Sequence, residues 1–380
     1  MRKLAWIGAL LIGMTVPMQA FASSPEFART TEEWTKLRDN TLEYDEIEDL
    51  VHEYNPTVQS NQYTYRKFRE DYGDTNDEVA NAYRDLADDF YSSMSGEDDA
   101  GSMVSDLNLQ TQAKNMLTQA DNSLEDSKIY LLTYEQTEKN LVVSAQSNMI
   151  SWYRDQLTLK SDQLELEQAQ RNQQLTQTRQ TAGTVTSMEL LDDQNSVITA
   201  EAAIQEQERT IQSVKEKLLV SLGWAYNADA SIGDLPEVDV SEIDTMNPDQ
   251  DLEQALENNY TLRINERKLE NAVSQTTKDS LVTTIANNKK QIAVSLSAAY
   301  QKVQSSRLSY EQALTAQALA QQNTRVAEAK RSAGMMTDRD YQQQVKTLET
   351  SNISVDSAKL DLLEAMETYR WSVKGLASAE

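Results

Sequence analysis

The chain contains no cysteine, a single histidine, ten glycines and five prolines among its 380 residues. Without cysteine there can be no disulfide bond, no thiol nucleophile and no lipid-modified cysteine. One histidine, His52, excludes histidine-based metal sites and most acid–base triads. The sequence also has no glycine-rich phosphate loop and no nucleophile motif. It therefore predicts a protein that is not an enzyme and needs no cofactor or metal.

Helix-breaking residues are unevenly spread. Residues 57–235 contain no proline, and residues 102–182 and 234–333 contain no glycine. Stretches of this length without breakers favour very long helices. Hydrophobic residues make up only 39% and the mean hydropathy is -0.64, so such helices can bury a narrow stripe rather than a thick core. The expected fold class is all-α.

The charge is strongly acidic, with 61 acidic against 35 basic residues and a net charge of -26. This charge argues against nucleic acids and anionic lipid surfaces as partners. The basic start, the apolar run 4–14 and the small residues of Ala20-Phe21-Ala22 predict a signal peptide over residues 1–22. An uncleaved membrane anchor is the alternative. No later apolar run is long enough to span a bilayer as a helix.

A heptad pattern occurs twice, 151 positions apart, and each copy opens on an Ala-Gly pair. A strict seven-residue repeat predicts coiled-coil packing with a left-handed supercoil. A duplicated pattern predicts two similar halves. The heptad residues are Leu190, Val197, Ile204, Ile211 and Leu218 in the first copy and Tyr341, Leu348, Val355, Leu362 and Tyr369 in the second.

The second core position of each heptad is small or polar. A two-stranded zipper would favour leucine there, so the pattern indicates helices with neighbours on both sides, as in a ring or tube. These positions are Asp193, Ala200, Gln207, Val214 and Ser221 in the first copy and Gln344, Ser351, Ala358, Ala365 and Ser372 in the second.

Each heptad helix follows a long breaker-free segment, which predicts an antiparallel helical hairpin with Gly183 or Gly334 at its tip. After each glycine, a threonine and an acid three residues later predict the start of the returning helix. The two pairs are Thr186 with Glu189 and Thr337 with Asp340.

The predicted organisation has two repeats. Val51 lies 132 positions before Gly183, whereas Leu256 lies 78 before Gly334, so the first half holds 54 more residues. We expect these in an acidic insertion with a helix near 77–91, a flexible loop, and a helix resuming near Ser105. The expected domains are a signal peptide (1–22), an N-terminal extension (23–44), a first repeat (45–224, insertion about 71–125), a connector (225–250) and a second repeat (251–376).

These features resemble the TolC family of outer-membrane efflux and secretion ducts, from about Glu43 to Gly375 apart from the insertion. The tips and following helices, from Thr181 to Gly223 and from Ser332 to Gly375, look like the family's glycine tips followed by a helix ending in Leu-Gly. The openings Leu50-Val51-His52-Glu53-Tyr54-Asn55-Pro56 and Ala255-Leu256-Glu257-Asn258-Asn259 look like its Ala-Leu-x-x-Asn-Pro pattern.

The resemblance implies a homotrimer in which six hairpins form a hollow α-helical barrel. It implies that the tips meet a periplasmic adaptor, a membrane fusion protein, which couples the duct to an ABC or other export pump. The implied docking residues are Ala182, Gly183, Thr184, Ala333, Gly334 and Met335. The alternative is that these residues form plain hairpin turns.

The family also places acids after the second tip glycine, where they ring the entrance. Asp340 matches the first of these positions, and Gln343 stands at the second. Glu189 and Asp192 hold the equivalent places in the first half. The alternative is that these acids are favoured only by the dipole at the helix N-terminus.

The sequence departs from the family at the membrane end. Family members insert a strand pair in each half, but neither residues 270–300 nor the acidic insertion alternate like membrane-facing strands. We therefore expect little or no β-barrel. The resemblance implies the outer membrane, and the missing strands leave open an extracytoplasmic location without a membrane barrel.

The sequence is compatible with two functions. One is a passive TolC-like duct in a tripartite efflux or secretion system. The other is an extracytoplasmic coiled-coil scaffold without a transport role.

Overall fold

The computed structural model describes residues 29–379, in two compact units that divide after Asp39. In the first unit, helix α1 (Thr31–Leu37) begins with a capping box. The Thr30 hydroxyl accepts the Glu33 N–H at 3.2 Å, and the Glu33 carboxylate accepts the Thr30 N–H. Both bonds satisfy amides that the helix itself leaves free. The predicted signal peptide lies outside the described residues.

The second unit is almost entirely helical, which confirms the all-α fold class. A 3₁₀ turn (Tyr44–Glu46) precedes its first helix, and a π-helical turn (Ser372–Leu376) follows its last. Its helices are α2 (Ile47–Tyr54), α3 (Pro56–Tyr72), α4 (Asn76–Ser92), α5 (Ala100–Asn122), α6 (Ser127–Thr181), α7 (Ser187–Ser221), α8 (Val240–Ile243), α9 (Pro248–Asn258), α10 (Tyr260–Asn271), α11 (Gln275–Ser332) and α12 (Asp338–Trp371).

Strands are nearly absent from residues 29–379. Strand β1 (Thr41–Leu42) pairs in parallel with β2 (Ser231–Ile232), and the two strands have two residues each. Where the family resemblance called for strand pairs, the chain forms the α4–α5 hairpin in the first half and runs directly from α10 into α11 in the second. In the same described range, no helix combines the length and apolarity needed to cross a bilayer.

Two long helical hairpins dominate the second unit. Helix α6 has 55 residues and pairs with α7, and α11 has 58 residues and pairs with α12. At about 1.5 Å per residue, each outgoing helix is more than about 80 Å long. Helix α6 also packs against α12. The hairpins therefore lie side by side in the order α7, α6, α12, α11.

The heptad positions are the less exposed side of α7. Val197, Ile204 and Ile211 are partly buried, whereas the neighbouring Ile198 is 62% exposed. Even so, no residue from 151 to 217 is fully buried. The tip-ward part of the α6–α7 hairpin therefore has an ordered seam but no closed core of its own.

A hydrophobic core lies where the second hairpin meets the shorter helices. It contains Leu296 and Val303 of α11 and Leu362 and Met366 of α12, all at most 1% exposed. Ile243 of the connector, also 1% exposed, joins the same cluster. The connector thus contributes a side chain to the hairpin core.

Two asparagines link the short helices to the ends of the hairpins. Asn55, between α2 and α3, caps α3 with its Oδ1 and donates from its Nδ2 to the Ser221 carbonyl at 2.7 Å. Asn259, 204 positions later, caps α10 and donates to the carbonyls of Gly375 and Ala377. Both side chains are at most 3% exposed. The same joint therefore occurs once in each half.

The acidic insertion forms a helical hairpin of α4 and α5, held by Ala87, Phe90 and Ala113. Its second helix begins at Ala100, five residues before the expected Ser105. The reason is an N-cap: the Asp99 carboxylate accepts the backbone N–H groups of Gly101 and Ser102 at 2.9 and 3.1 Å. The cap stabilises a helix start at a position where the surrounding acids and glycine would by themselves favour a loop.

Candidate functional site

The first hairpin tip is a short turn stopped by glycine. Ala182 is the C-cap of helix α6, and Gly183 takes a φ of 74°. The Thr184 N–H then donates to the Arg179 carbonyl at 2.9 Å, and the Gly183 N–H donates to the Gln180 carbonyl at 2.8 Å. This pair of bonds around a left-handed residue is a Schellman motif.

The second tip has the same geometry. Gly334 takes a φ of 72°, and its N–H donates to the Arg331 carbonyl at 3.0 Å. The Met335 N–H donates to the Lys330 carbonyl at 2.8 Å. The duplicated Ala-Gly pairs of the sequence are therefore duplicated turns.

Each tip restarts its helix as predicted. The Thr186 hydroxyl accepts the Glu189 N–H at 3.3 Å, and the Thr337 hydroxyl accepts the Asp340 N–H at 3.1 Å. These bonds satisfy one free amide at the start of α7 and of α12.

The tips are open surfaces. A Cβ added at Gly183 or Gly334 would meet no heavy atom within 4 Å, so these glycines are required by their φ and not by close packing. Ala182, Thr184 and Ala333 are exposed, and Met335 is 73% exposed. Each set of predicted docking residues thus forms one accessible turn.

Beyond the shared turn, the two tips differ in chemistry. At the second tip, Arg331 pairs with Asp338 at 2.6 Å and lies 4.7 Å from the centre of the Tyr341 ring. At the first tip the corresponding link is neutral, a 3.2 Å hydrogen bond from Gln180 to Ser187. The second tip therefore has a charged link where the first has a neutral one, and it has the exposed Met335 where the first has Thr184.

The predicted entrance acids lie just after the tips. Glu189, Asp192 and Asp340 are all exposed in the first two turns of α7 or α12. Glu189 and Asp340 also supply the capped amides. The structure brings Glu189 and Asp192 to the first tip and Asp340 to the second. In residues 29–379 no group of three or more His, Cys, Asp and Glu could hold a metal ion.

Ion pairs hold the two hairpins together between α6 and α12. Arg154 donates to Asp361 at 2.9 Å and to Glu364 at 2.8 Å, and Lys346 pairs with Glu165 at 2.8 Å. Burial acts to lower the pKa of Arg154, but the hydrogen bonds to the two carboxylates outweigh it and raise that pKa. Arg154 therefore remains a cation at this contact.

The sequence pattern did not reveal these ion pairs. A heptad repeat identifies the side of a helix that packs, but it does not say which residue of another hairpin faces that side. No spacing of Arg154, Asp361 and Glu364 in the chain marks them as partners, since more than 200 positions separate Arg154 from both acids.

The tip caps lead to a local stability prediction. Replacing Thr186 or Thr337 by valine keeps the side-chain shape but removes the capping oxygen, at a cost of about 1 kcal/mol. We expect the Glu189 or Asp340 amide to exchange with deuterium roughly fivefold faster, because the helix start opens more often. Native-state hydrogen exchange measures this.

Thr199→Val is the matched control for the cap substitution. Thr199 is exposed on α7, and its hydroxyl donates to the Asn195 carbonyl within the helix. This variant should leave the Glu189 amide unchanged. Equal effects of Thr186→Val and Thr199→Val would show that the hydroxyl of Thr186 is not what holds the helix start.

Solved structures share this arrangement of hairpins. A membrane protein from Pseudomonas aeruginosa aligns with a TM-score of 0.58 at 12% identity, over 87% of this chain and 90% of that chain. The outer-membrane channel OprN aligns with a TM-score of 0.56 at 12% identity, over 90% of this chain and 92% of that chain. The CmeC outer-membrane channel of Campylobacter jejuni aligns with a TM-score of 0.52 at 10% identity, over 98% of this chain and 95% of that chain.

No family model and no curated protein matches the sequence itself. The structural likeness nevertheless covers most of each chain. The chain therefore has the helical fold of outer-membrane efflux channels, which confirms the TolC resemblance at the level of the fold.

Proposed function

We propose that this chain, which has the fold of outer-membrane efflux channels, is the duct component of a tripartite efflux or secretion system. It is exported to the cell envelope, assembles as a homotrimer and conducts substrate passively, without catalysis. An adaptor docks on its tips and couples it to an energised pump. The observation that carries the proposal is the pair of open Schellman turns, one at the tip of each long hairpin.

The exposed sides of the hairpins support assembly. With no fully buried residue from 151 to 217, the α6–α7 hairpin leaves much apolar surface in water. On the far side of the hairpin pair, α11 exposes an apolar stripe, with Leu308 at 56% and Leu319 at 58%. These are different surfaces, so α7 of one copy would meet α11 of the next. Head-to-tail contacts form a closed ring when the rotation between copies closes, and a ring of three copies has six hairpins.

The tips support docking of a second protein. A Schellman turn presents backbone groups and small side chains at the end of a stiff helix pair, where a partner can approach closely. Ala182, Gly183 and Thr184 form one such surface, and Ala333, Gly334 and Met335 form the other. The exposed Met335 offers an adaptable apolar contact.

The acids next to the tips support a cation-preferring entrance. In a closed ring, three copies each of Glu189, Asp192 and Asp340 would surround the opening and attract cations while repelling anions. Opening would need the hairpins to move past one another. The Arg154 and Lys346 ion pairs between α6 and α12 are the contacts that such a motion would change.

Crosslinking from the tips tests the proposal. Because the chain has no cysteine, Thr184→Cys and Met335→Cys each introduce one unique thiol. A photoreactive label on either thiol is expected to capture an adaptor protein in whole cells, identified by mass spectrometry. Ser93→Cys, exposed in the α4–α5 loop, is the matched control and should capture none.

Two results would count against the duct. One is a purified chain that stays monomeric at tens of micromolar and whose tip thiols capture no adaptor. The other is unchanged export after Gly183→Asp and Gly334→Asp, which would favour the scaffold function.

A further inference from the structure

A cavity lies between the two hairpins and the connector, away from the tips. Its volume is ≈ 290 Å³. Small-molecule sites begin at roughly 300 Å³, so this cavity is at the lower end of their range. Helices α6 and α12 and the segment before α8 supply its walls. Its apolar lining consists of Leu157, Leu235, Pro236, Val238, Leu360 and Leu363.

Three other polar residues line this cavity, and one of them, Gln156 of α6, is partly buried. The Tyr153 hydroxyl donates to the Gly233 carbonyl at 2.8 Å, which ties α6 to the connector. Asp356 is exposed at the edge of the cavity, one turn before Lys359 on α12. It forms no ion pair with Lys359 in the described structure.

Lys359 is the exception among the cations between the hairpins. Arg154 and Lys346 are both paired with carboxylates of the opposite hairpin. Lys359 is partly buried on the cavity wall, yet it has no hydrogen-bond or ion-pair partner among residues 29–379. A partly buried ammonium beside an apolar wall favours an anion that brings its own apolar body.

We propose that this cavity binds a small amphiphilic monocarboxylate, whose apolar body fills the cavity and whose carboxylate pairs with Lys359. A cavity of this volume favours a small ligand over a bulky or multi-ring one. An anion is favoured here even though the chain carries a net charge of -26, because Lys359 pairs with no carboxylate of the described residues. Binding at this cavity does not depend on the duct function.

The bound molecule would contact α6, α12 and the connector at once. A ligand that binds only the folded chain stabilises it in proportion to the logarithm of its concentration above Kd. Binding should therefore raise the melting temperature, and it should do so without any adaptor or pump present.

Calorimetric titration of the purified full chain tests the proposal. Decanoate, decanol and decylamine share one alkyl body and differ in head-group charge, and decanoate is expected to bind most tightly. Lys359→Gln should lower the affinity for decanoate about tenfold, because one charge-assisted contact is lost. It should change the affinity for decanol by less than about twofold. Lys302→Gln, exposed on α11 and without a partner in the described structure, is the matched control and should change neither.

A cavity-filling variant locates the binding. Leu235→Trp, with an unchanged circular dichroism spectrum, should abolish binding of decanoate and decanol together, because the indole occupies the cavity. Three results would overturn the proposal: no binding of decanoate below millimolar, unchanged decanoate affinity in Leu235→Trp, or equal loss of decanoate and decanol in Lys359→Gln.

Discussion

Replacing Leu308 and Leu319 together by glutamate is expected to leave the chain folded but to convert the proposed trimer into monomers. Both side chains are more than half exposed in the single chain, so neither glutamate is buried within the protomer. In the ring, each would be buried against the neighbouring α7. Burying an unpaired carboxylate costs several kcal/mol. The dissociation constant of each interface should increase by more than about a hundredfold.

The geometry of α11 makes this stripe the expected contact. Val294, Leu308, Leu319 and Val326 are 49% to 63% exposed and lie 14, 11 and 7 residues apart. At about 100° per residue these spacings keep the four side chains within about 40° of one another. They lie roughly opposite the side of α11 that packs on α12. The stripe therefore faces away from its own hairpin.

Sedimentation velocity at several protein concentrations measures this effect, with circular dichroism to confirm the fold. Leu314→Glu is the matched control, since Leu314 is 39% exposed. By the helical period it lies at least about 120° around the helix from both substituted leucines. The Leu314→Glu variant should remain trimeric. A trimeric double variant would show that the α11 stripe is not the interface between copies.

The heptad pattern predicted local geometry well because packing within a hairpin depends on one period. Ile204 and Ile211 lie on the seam of α7 because residues seven apart return to the same side of a helix. The turns were predictable for a similar reason: Gly183 and Thr186 act through bonds within a few residues of the chain.

Contacts between distant segments could not be predicted in this way. Ile243 lies in the connector but packs into the core of the second hairpin. The distinguishing residues of the connector are proline, glycine and acids, and these do not indicate a core residue. The start of α5 at Ala100 was also missed, since Asp99 lies in an acidic run in which several residues could cap a helix. In both cases the deciding bond or contact is one of many that the sequence permits.

Gly223→Ala is expected to destabilise the chain by about 3 kcal/mol, far more than the same change at the hairpin tip. Gly223 has a φ of 84°, which is a left-handed backbone. Alanine in that conformation costs about 1 kcal/mol or more. Its Cβ would also lie 2.5 Å from the Tyr54 Cβ and 2.7 Å from the Tyr54 carbonyl oxygen. Overpacking of this kind adds about 1–3 kcal/mol.

Gly183→Ala separates the two costs. Gly183 has a similar φ of 74°, but its added Cβ would meet no atom within 4 Å. In this variant only the strained backbone conformation lowers the stability. The strain is also confined to a hairpin tip, which can open locally without unfolding the other end of the hairpin. Urea unfolding should show a large fall in the free energy of unfolding for Gly223→Ala and about 1 kcal/mol or less for Gly183→Ala.

The difference matters because Gly223 lies at the joint between the first hairpin and the short helices. Beside it, Asn55 donates to the Ser221 carbonyl, and in the second half Asn259 donates to the carbonyl of Gly375. A Cβ at Gly375 would likewise contact the Asn258 carbonyl. If the joint holds each hairpin in place, a large fall in the free energy of unfolding is expected for both Gly223→Ala and Gly375→Ala. Only a small fall is expected for Gly183→Ala and Gly334→Ala at the tips. Equal effects at all four glycines would mean that backbone strain alone, and not the close approach of helices at the joint, requires glycine there.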